Sequence, residues 1–319
     1  MNNQIVVKKK TLIGLFLAII FAIFSSIQLL GIGPDRLQYE IYFNKITPTD
    51  FDSRYEFGFE YFSILFKIFF GSSAFLFFIF TITFLSLLIK FNYLLKRKDW
   101  LILILLYLIS VMILHEFIQI RVGLAIAFCI LSLAEASKDR PSFLLKTFFF
   151  FFGISLHISS FFFAPFIFMN AIFKKYNRFY VFTYIASVFC IGFFSEGPIY
   201  SLTGGLVESY ILLMEQDETQ ITIFSARNIA LAFILLIGFI RIKDIEKSML
   251  PFFYVSLGGY AFWFGFIWFP LLAHRILELT LLSTIVWLPD IKKDFRAVAY
   301  IVLAIFGLYY SYNLLELFE

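Results

Sequence analysis

The stretch His115 to Ala125, HEFIQIRVGLA, sets His115, Glu116, Gln119 and Arg121 between two runs of apolar residues. Further along, His157, Arg227, His274 and Arg275 stand in similar surroundings. These residue types bind anions and move protons. A guanidinium keeps its charge and presents a planar fork that holds phosphate oxygens bidentately without a metal. A histidine exchanges its proton near neutral pH. Ionisable groups inside apolar segments are costly unless paired or hydrated, so each is a functional candidate by default. Each also has a plainer reading. The arginines can snorkel to headgroups, His157 can bond a freed carbonyl, Glu116 can pair with a neighbouring arginine, and His115 and His274 can simply pack.

The elements that must position these groups are membrane spans. With 61% hydrophobic and 15% charged residues, the chain reads as an all-α polytopic membrane protein, a single embedded domain over 1–319. A hydrocarbon core of roughly 30 Å takes about 20 helical residues, so this length allows on the order of ten crossings. Thr11 to Leu30 is too long for a signal peptide's apolar region and reads as the first span. Further spans fall near 73–93, 99–116, 118–136, 179–194, 223–240, 249–269, 273–289 and 297–313. Residues 143–173 have basic residues on both flanks, which predicts a broken hairpin of two short helices turning near His157. The total is about 10–11 transmembrane helices, hairpin included. An outer segment, 31–72, begins polar and ends in Phe57 to Phe70, which carries Glu60, Ser63 and Lys67 on one face. This piece predicts an amphipathic helix in the outer interface, with a short tilted span as the alternative. Residues 195–222 are acidic, without Lys or Arg, and read as a second outer loop. Cys129 and Cys190 fall inside apolar runs and read as core residues, not a disulfide.

This arrangement puts 19 of the 26 lysines and arginines on the cytoplasmic side, Lys90 among them. The remainder, Arg36, Lys45, Arg54, Lys67, Arg121, Arg227 and Arg275, fall in the outer half. With His115, Glu116, His157 and His274 they predict an outward-facing, net positive cavity. Such a site suits an anionic group such as a lipid-linked pyrophosphate.

Five stretches together resemble the EpsG-like branch of the Wzy polysaccharide polymerases. They are GPDRLQYEIYF (Gly33 to Phe43), RYEFGFEYF (Arg54 to Phe62), QIRVGLA (Gln119 to Ala125), GISLHISSFFFAP (Gly153 to Pro165) and HRILELTLL (His274 to Leu282). The resemblance implies a GT-C-like membrane glycosyltransferase. It would move a glycan from undecaprenyl pyrophosphate onto another lipid-linked repeat at the outer face of the bacterial cytoplasmic membrane. It singles out Asp35, Tyr39, Glu56, Arg121 in the Gln119-x-Arg121 motif, His157 and Arg275. An aromatic pair usual in the last motif is replaced here by Leu277 to Leu281, with Glu278 among them.

On this reading Arg121, Arg275 and Arg227, with Gln119 and Tyr39, bind the pyrophosphate and substrate. His157 is the favoured general base, with Glu56 and Asp35 as rivals. No cofactor and no metal are expected. Asp50 and Asp52 form an Asp-x-Asp pattern read as solvated loop carboxylates. Tyr39, Tyr55 and Trp263 are candidate sugar platforms. The expected partners are the lipid-linked oligosaccharide, the bilayer and, as a candidate, a chain-length regulator protein, with no nucleic acid. Competing functions are a flippase for the same lipid, a glycan ligase, an O-acyltransferase or a scaffold. Neither internal repetition nor midplane polar groups favour a transporter.

Overall fold

The computed structural model describes residues 2–27, 34–47, 56–174, 178–194 and 225–315. The acidic segment 195–222, Asp50, Asp52, Arg54, Tyr55, Glu316 and Glu319 lie outside the described residues.

The described chain is helical and polytopic. Its helices are α1 (Asn2–Ser26), α2 (Pro34–Lys45), α3 (Phe57–Phe70), α4 (Phe75–Leu94), α5 (Trp100–Tyr107), α6 (Ile120–Ala136), α7 (Phe143–Leu156), α8 (Ala164–Phe168), α9 (Asn170–Phe173), α10 (Arg178–Phe194), α11 (Ala226–Ile240), α12 (Leu250–Gly265), α13 (Pro270–Trp287) and α14 (Lys293–Leu315). α5 runs on as a π-helical segment, Leu108–Ile118, and a 3-10 turn, Ile158–Phe163, leads into α8. Five stretches are long and apolar enough to cross a membrane: Lys9–Ser26, Ser72–Leu94, Trp100–Ile118, Leu272–Asp290 and Lys293–Leu315. Phe143–Leu156, Ile158–Phe168, Phe182–Phe194 and Ala226–Ile240 are apolar but shorter. The chain turns at His157 between α7 and the 3-10 segment, where the hairpin was expected.

Two compact units form, Met1–Asn170 with Tyr300–Glu319, and Ala171–Ala299. In the first, α4 packs on α1 and α6, α6 on α7, and α3 on α7, with α2 against α3 and α4. Tyr39, Phe43, Phe59, Phe78, Leu124 and Leu156 share its buried core. In the second, α12 packs on α10, α11 and α13.

Three expectations need correction. The polar stretch after the first span contains a helix, α2, whose Arg36, Tyr39, Tyr42, Phe43 and Ile46 are buried on one side. The face of α3 that carries Glu60 and Ser63 is buried against the protein, while Phe57, Tyr61, Leu65, Ile68 and Phe69 are exposed. An apolar outward face suits lipid. Lys90 is not a cytoplasmic flank. It is fully buried, its Nζ 2.5 Å from Glu116 Oε1, which also accepts from Ser86 Oγ at 2.9 Å and Tyr107 Oη at 2.6 Å. His115 and Glu116 are likewise fully buried, so neither opens onto an outward cavity.

Two of the outer basic residues are occupied with helix ends. Arg36 donates to the Ser26 carbonyl at 2.9 Å and lies over the Phe75 ring. Lys67 donates to the carbonyls of Phe43, Asn44 and Ile46 at the C-terminus of α2, where a cation offsets the orphan acceptors.

Candidate active site

Glu56 is the N-cap residue of α3, with extended φ and ψ, but its side chain makes no cap hydrogen bond. The carboxylate turns instead toward the hairpin tip. Its Oε1 lies 2.9 Å from His157 Nδ1 and accepts the backbone N–H of Ile158 at 3.2 Å. Its Oε2 accepts from Arg121 Nη1. One carboxylate therefore joins a histidine and an arginine that are 36 residues apart in sequence.

Each partner is held by its element. His157 ends α7 in an extended conformation, its N–H bonded to the Gly153 carbonyl at 3.1 Å and its carbonyl to Ser160 N at 3.0 Å. Arg121 lies in the first turn of α6, directly after the π-helical segment, and its guanidinium sits over the rings of Tyr39 and Phe59 at 5.7 and 5.4 Å. The three helices can converge because of two glycines. A Cβ on Gly58 would lie 2.3 Å from Ser155 Oγ, and one on Gly153 would lie 3.0 Å from Cys129 Sγ. α3 thereby reaches α7, and α7 reaches α6.

The electrostatics favour a charged Glu56. Burial pushes its carboxyl up, but the His157 hydrogen bond and the Arg121 charge outweigh that and hold it below the ordinary carboxylate value. A carboxylate on Nδ1 fixes the ring's tautomer, with the proton on Nδ1 and a lone pair on Nε2. Such a pair can accept a proton from a hydroxyl presented to Nε2, the arrangement that a carboxylate and histidine adopt in nucleophile activation.

Of the other residues singled out by sequence, Tyr39 is buried and packs on Phe59 at 5.8 Å between ring centroids, beneath Arg121. Asp35 opens α2 in its first turn. Gln119 links the π-helical segment to α6, its N–H bonded to the Leu114 carbonyl. In the second unit, Arg227 Nη2 lies 3.1 Å from His274 Nδ1, and its Nη1 lies 3.8 Å from Glu278 Oε1. Arg275 is exposed, and Trp263 is buried against His274. The Lys90–Glu116 pair and the Arg227–Glu278 pair were not anticipated. Opposite charges at depth in neighbouring apolar segments were the available signal. Among the described residues no group of three or more His, Cys, Asp or Glu side chains is placed to hold a metal ion.

A polytopic membrane fold with a buried Glu–His–Arg constellation defines a membrane enzyme of polar, anionic substrates. The EpsG family profile matches residues 11–317, nearly the whole chain, and the chain belongs to that family. Membership implies a membrane polysaccharide polymerase-like function of glycosyltransferase type. No curated protein and no solved structure matches it.

Proposed function

We propose that this protein polymerises undecaprenyl pyrophosphate-linked oligosaccharide repeats at the outer face of the cytoplasmic membrane, without a metal. The observation that carries the reading is the carboxylate of Glu56 shared between His157 and Arg121. His157 Nε2 takes the proton from the acceptor sugar hydroxyl as that oxygen attacks the anomeric carbon of the donor. The glycosidic bond to pyrophosphate breaks, and the pyrophosphate leaves with the bonding electron pair. Glu56 orients the ring and stabilises the imidazolium that forms. Arg121, held by Glu56 and by the faces of Tyr39 and Phe59, lies beside the reacting centre and offers charge where the leaving group develops it.

The test uses purified protein and lipid-linked repeat units alone, with no other acceptor and no acyl donor. A ladder of longer glycans supports polymerase activity. Unchanged single repeats point to a flippase or a ligase.

A further inference from the structure

The second unit contains an apolar cavity of about 490 Å³ between α10, α11 and α12. That volume is in the range of sites that enclose small ligands, about 300–1,000 Å³. Phe182 and Phe189 come from α10, Ala232 and Phe239 from α11, and Leu257 and Phe264 from α12. Tyr260 is the one lining residue whose side chain has a polar atom. Phe182 and Leu236 at the rim are 67% and 54% exposed, so the cavity opens sideways as well as inward.

A charge cluster stands at one end. α11 carries Arg227 in its first turn, beside His274 and Glu278, and Arg275 follows His274. Among the described residues Arg275 makes no hydrogen bond or ion pair, and it is exposed. Two guanidiniums thus face one carboxylate. Trp263, next to the lining residue Phe264, lies 6.1 Å from the His274 ring, which puts the cavity and the cluster side by side. At about 1.5 Å per residue, Ala232 and Phe239 lie roughly 7 and 18 Å along α11 from Arg227.

We infer that this cavity is a slot for the polyprenyl tail of a lipid-linked substrate, entered with its pyrophosphate end at Arg227 and Arg275. The inference rests on the polymerase reading for the identity of the lipid. A positive cluster over a single apolar slot suits a lipid with one chain and a strongly anionic head. A membrane phospholipid brings two chains and one phosphate. The aromatic lining suits a methyl-branched, unsaturated chain.

The experiment measures binding of undecaprenyl pyrophosphate and of geranyl pyrophosphate to the purified full-length protein in detergent, with phosphatidylglycerol as competitor. The long-chain lipid binds at least about tenfold more tightly, equivalent to about 1.4 kcal/mol. Ala232→Phe and Ala261→Phe, which fill the slot, remove that preference and leave geranyl pyrophosphate binding unchanged, which also shows that the variants fold. Ile229→Phe, on the same helix but outside the lining, retains the preference. Arg275→Gln weakens both ligands. Equal binding of the two chain lengths, or displacement by phosphatidylglycerol, overturns the inference. So does an equal loss of both ligands on filling. Chain-length-dependent binding by a protein that makes no ladder leaves the slot standing and removes the polymerase reading.

Discussion

At the scale of the residue, everything turns on Glu56. A carboxylate whose folded value is depressed contributes stability that is fully present above its unfolded value, about 4.3, and lost as pH falls through the lower folded value. The bridge between His157 and Arg121 therefore persists through the neutral range and fails only on acidification below about pH 4. Thermal unfolding followed against pH in detergent should show this acid-side loss in the wild type. In Glu56→Gln the acid-side loss should shrink. An identical acid limb in the two proteins would show that Glu56 does not carry it. Sequence supplied the histidine, the arginine and the carboxylate as separate candidates. It did not show that Glu56 touches both others, because residues 56, 121 and 157 meet only through the packing of α3, α6 and α7.

The elements show which physical signals were legible. Apolar runs placed α4, α6, α7, α10 and the later helices within a few residues, because burial and lipid both demand unbroken hydrophobicity. α2 escaped because Leu37 and Ile41 lie on its exposed side while Tyr39, Tyr42 and Phe43 lie on the buried one, which blurs the helical period. Lys90 was misplaced because a lysine four residues before a helix end looks like a cytoplasmic flank, and its partner Glu116 is on another helix. Two predictions follow from the packing. Gly58→Leu forces α3 away from α7 and should cost about 1–3 kcal/mol of stability. It should also weaken polymer formation through the Glu56–His157 contact, as a thermal shift and a glycan gel would record. Glu116→Leu alone strands a buried Lys90 and should cost about 3–5 kcal/mol, whereas Lys90→Met with Glu116→Leu should recover most of it. Additive losses in that double-mutant cycle would mean that the pair does not couple.

For the whole molecule, the chain is a multi-pass membrane protein of the EpsG family. Its proposed orientation sends residues 195–222 outward. With Cys129 and Cys190 replaced by alanine, a single cysteine between Glu196 and Glu218 should react with an impermeant thiol reagent on intact cells. Labelling only after the membrane is opened would invert the arrangement. The same orientation concerns the Glu56 cluster in the first unit and the Arg227 cluster in the second, each of which is described within its own unit.

The most direct measurement gives purified wild type, His157→Ala and Arg121→Lys the same lipid-linked repeat units and compares the products. The account predicts a ladder from the wild type alone. His157→Ala should lose about 10²–10⁴ in rate, the usual contribution of a positioned proton-transfer group. Arg121→Lys, which keeps the charge but loses the planar fork, should leave single repeats accumulating. Full-length ladders from both variants would show that the reaction occurs without the Glu56–His157–Arg121 centre.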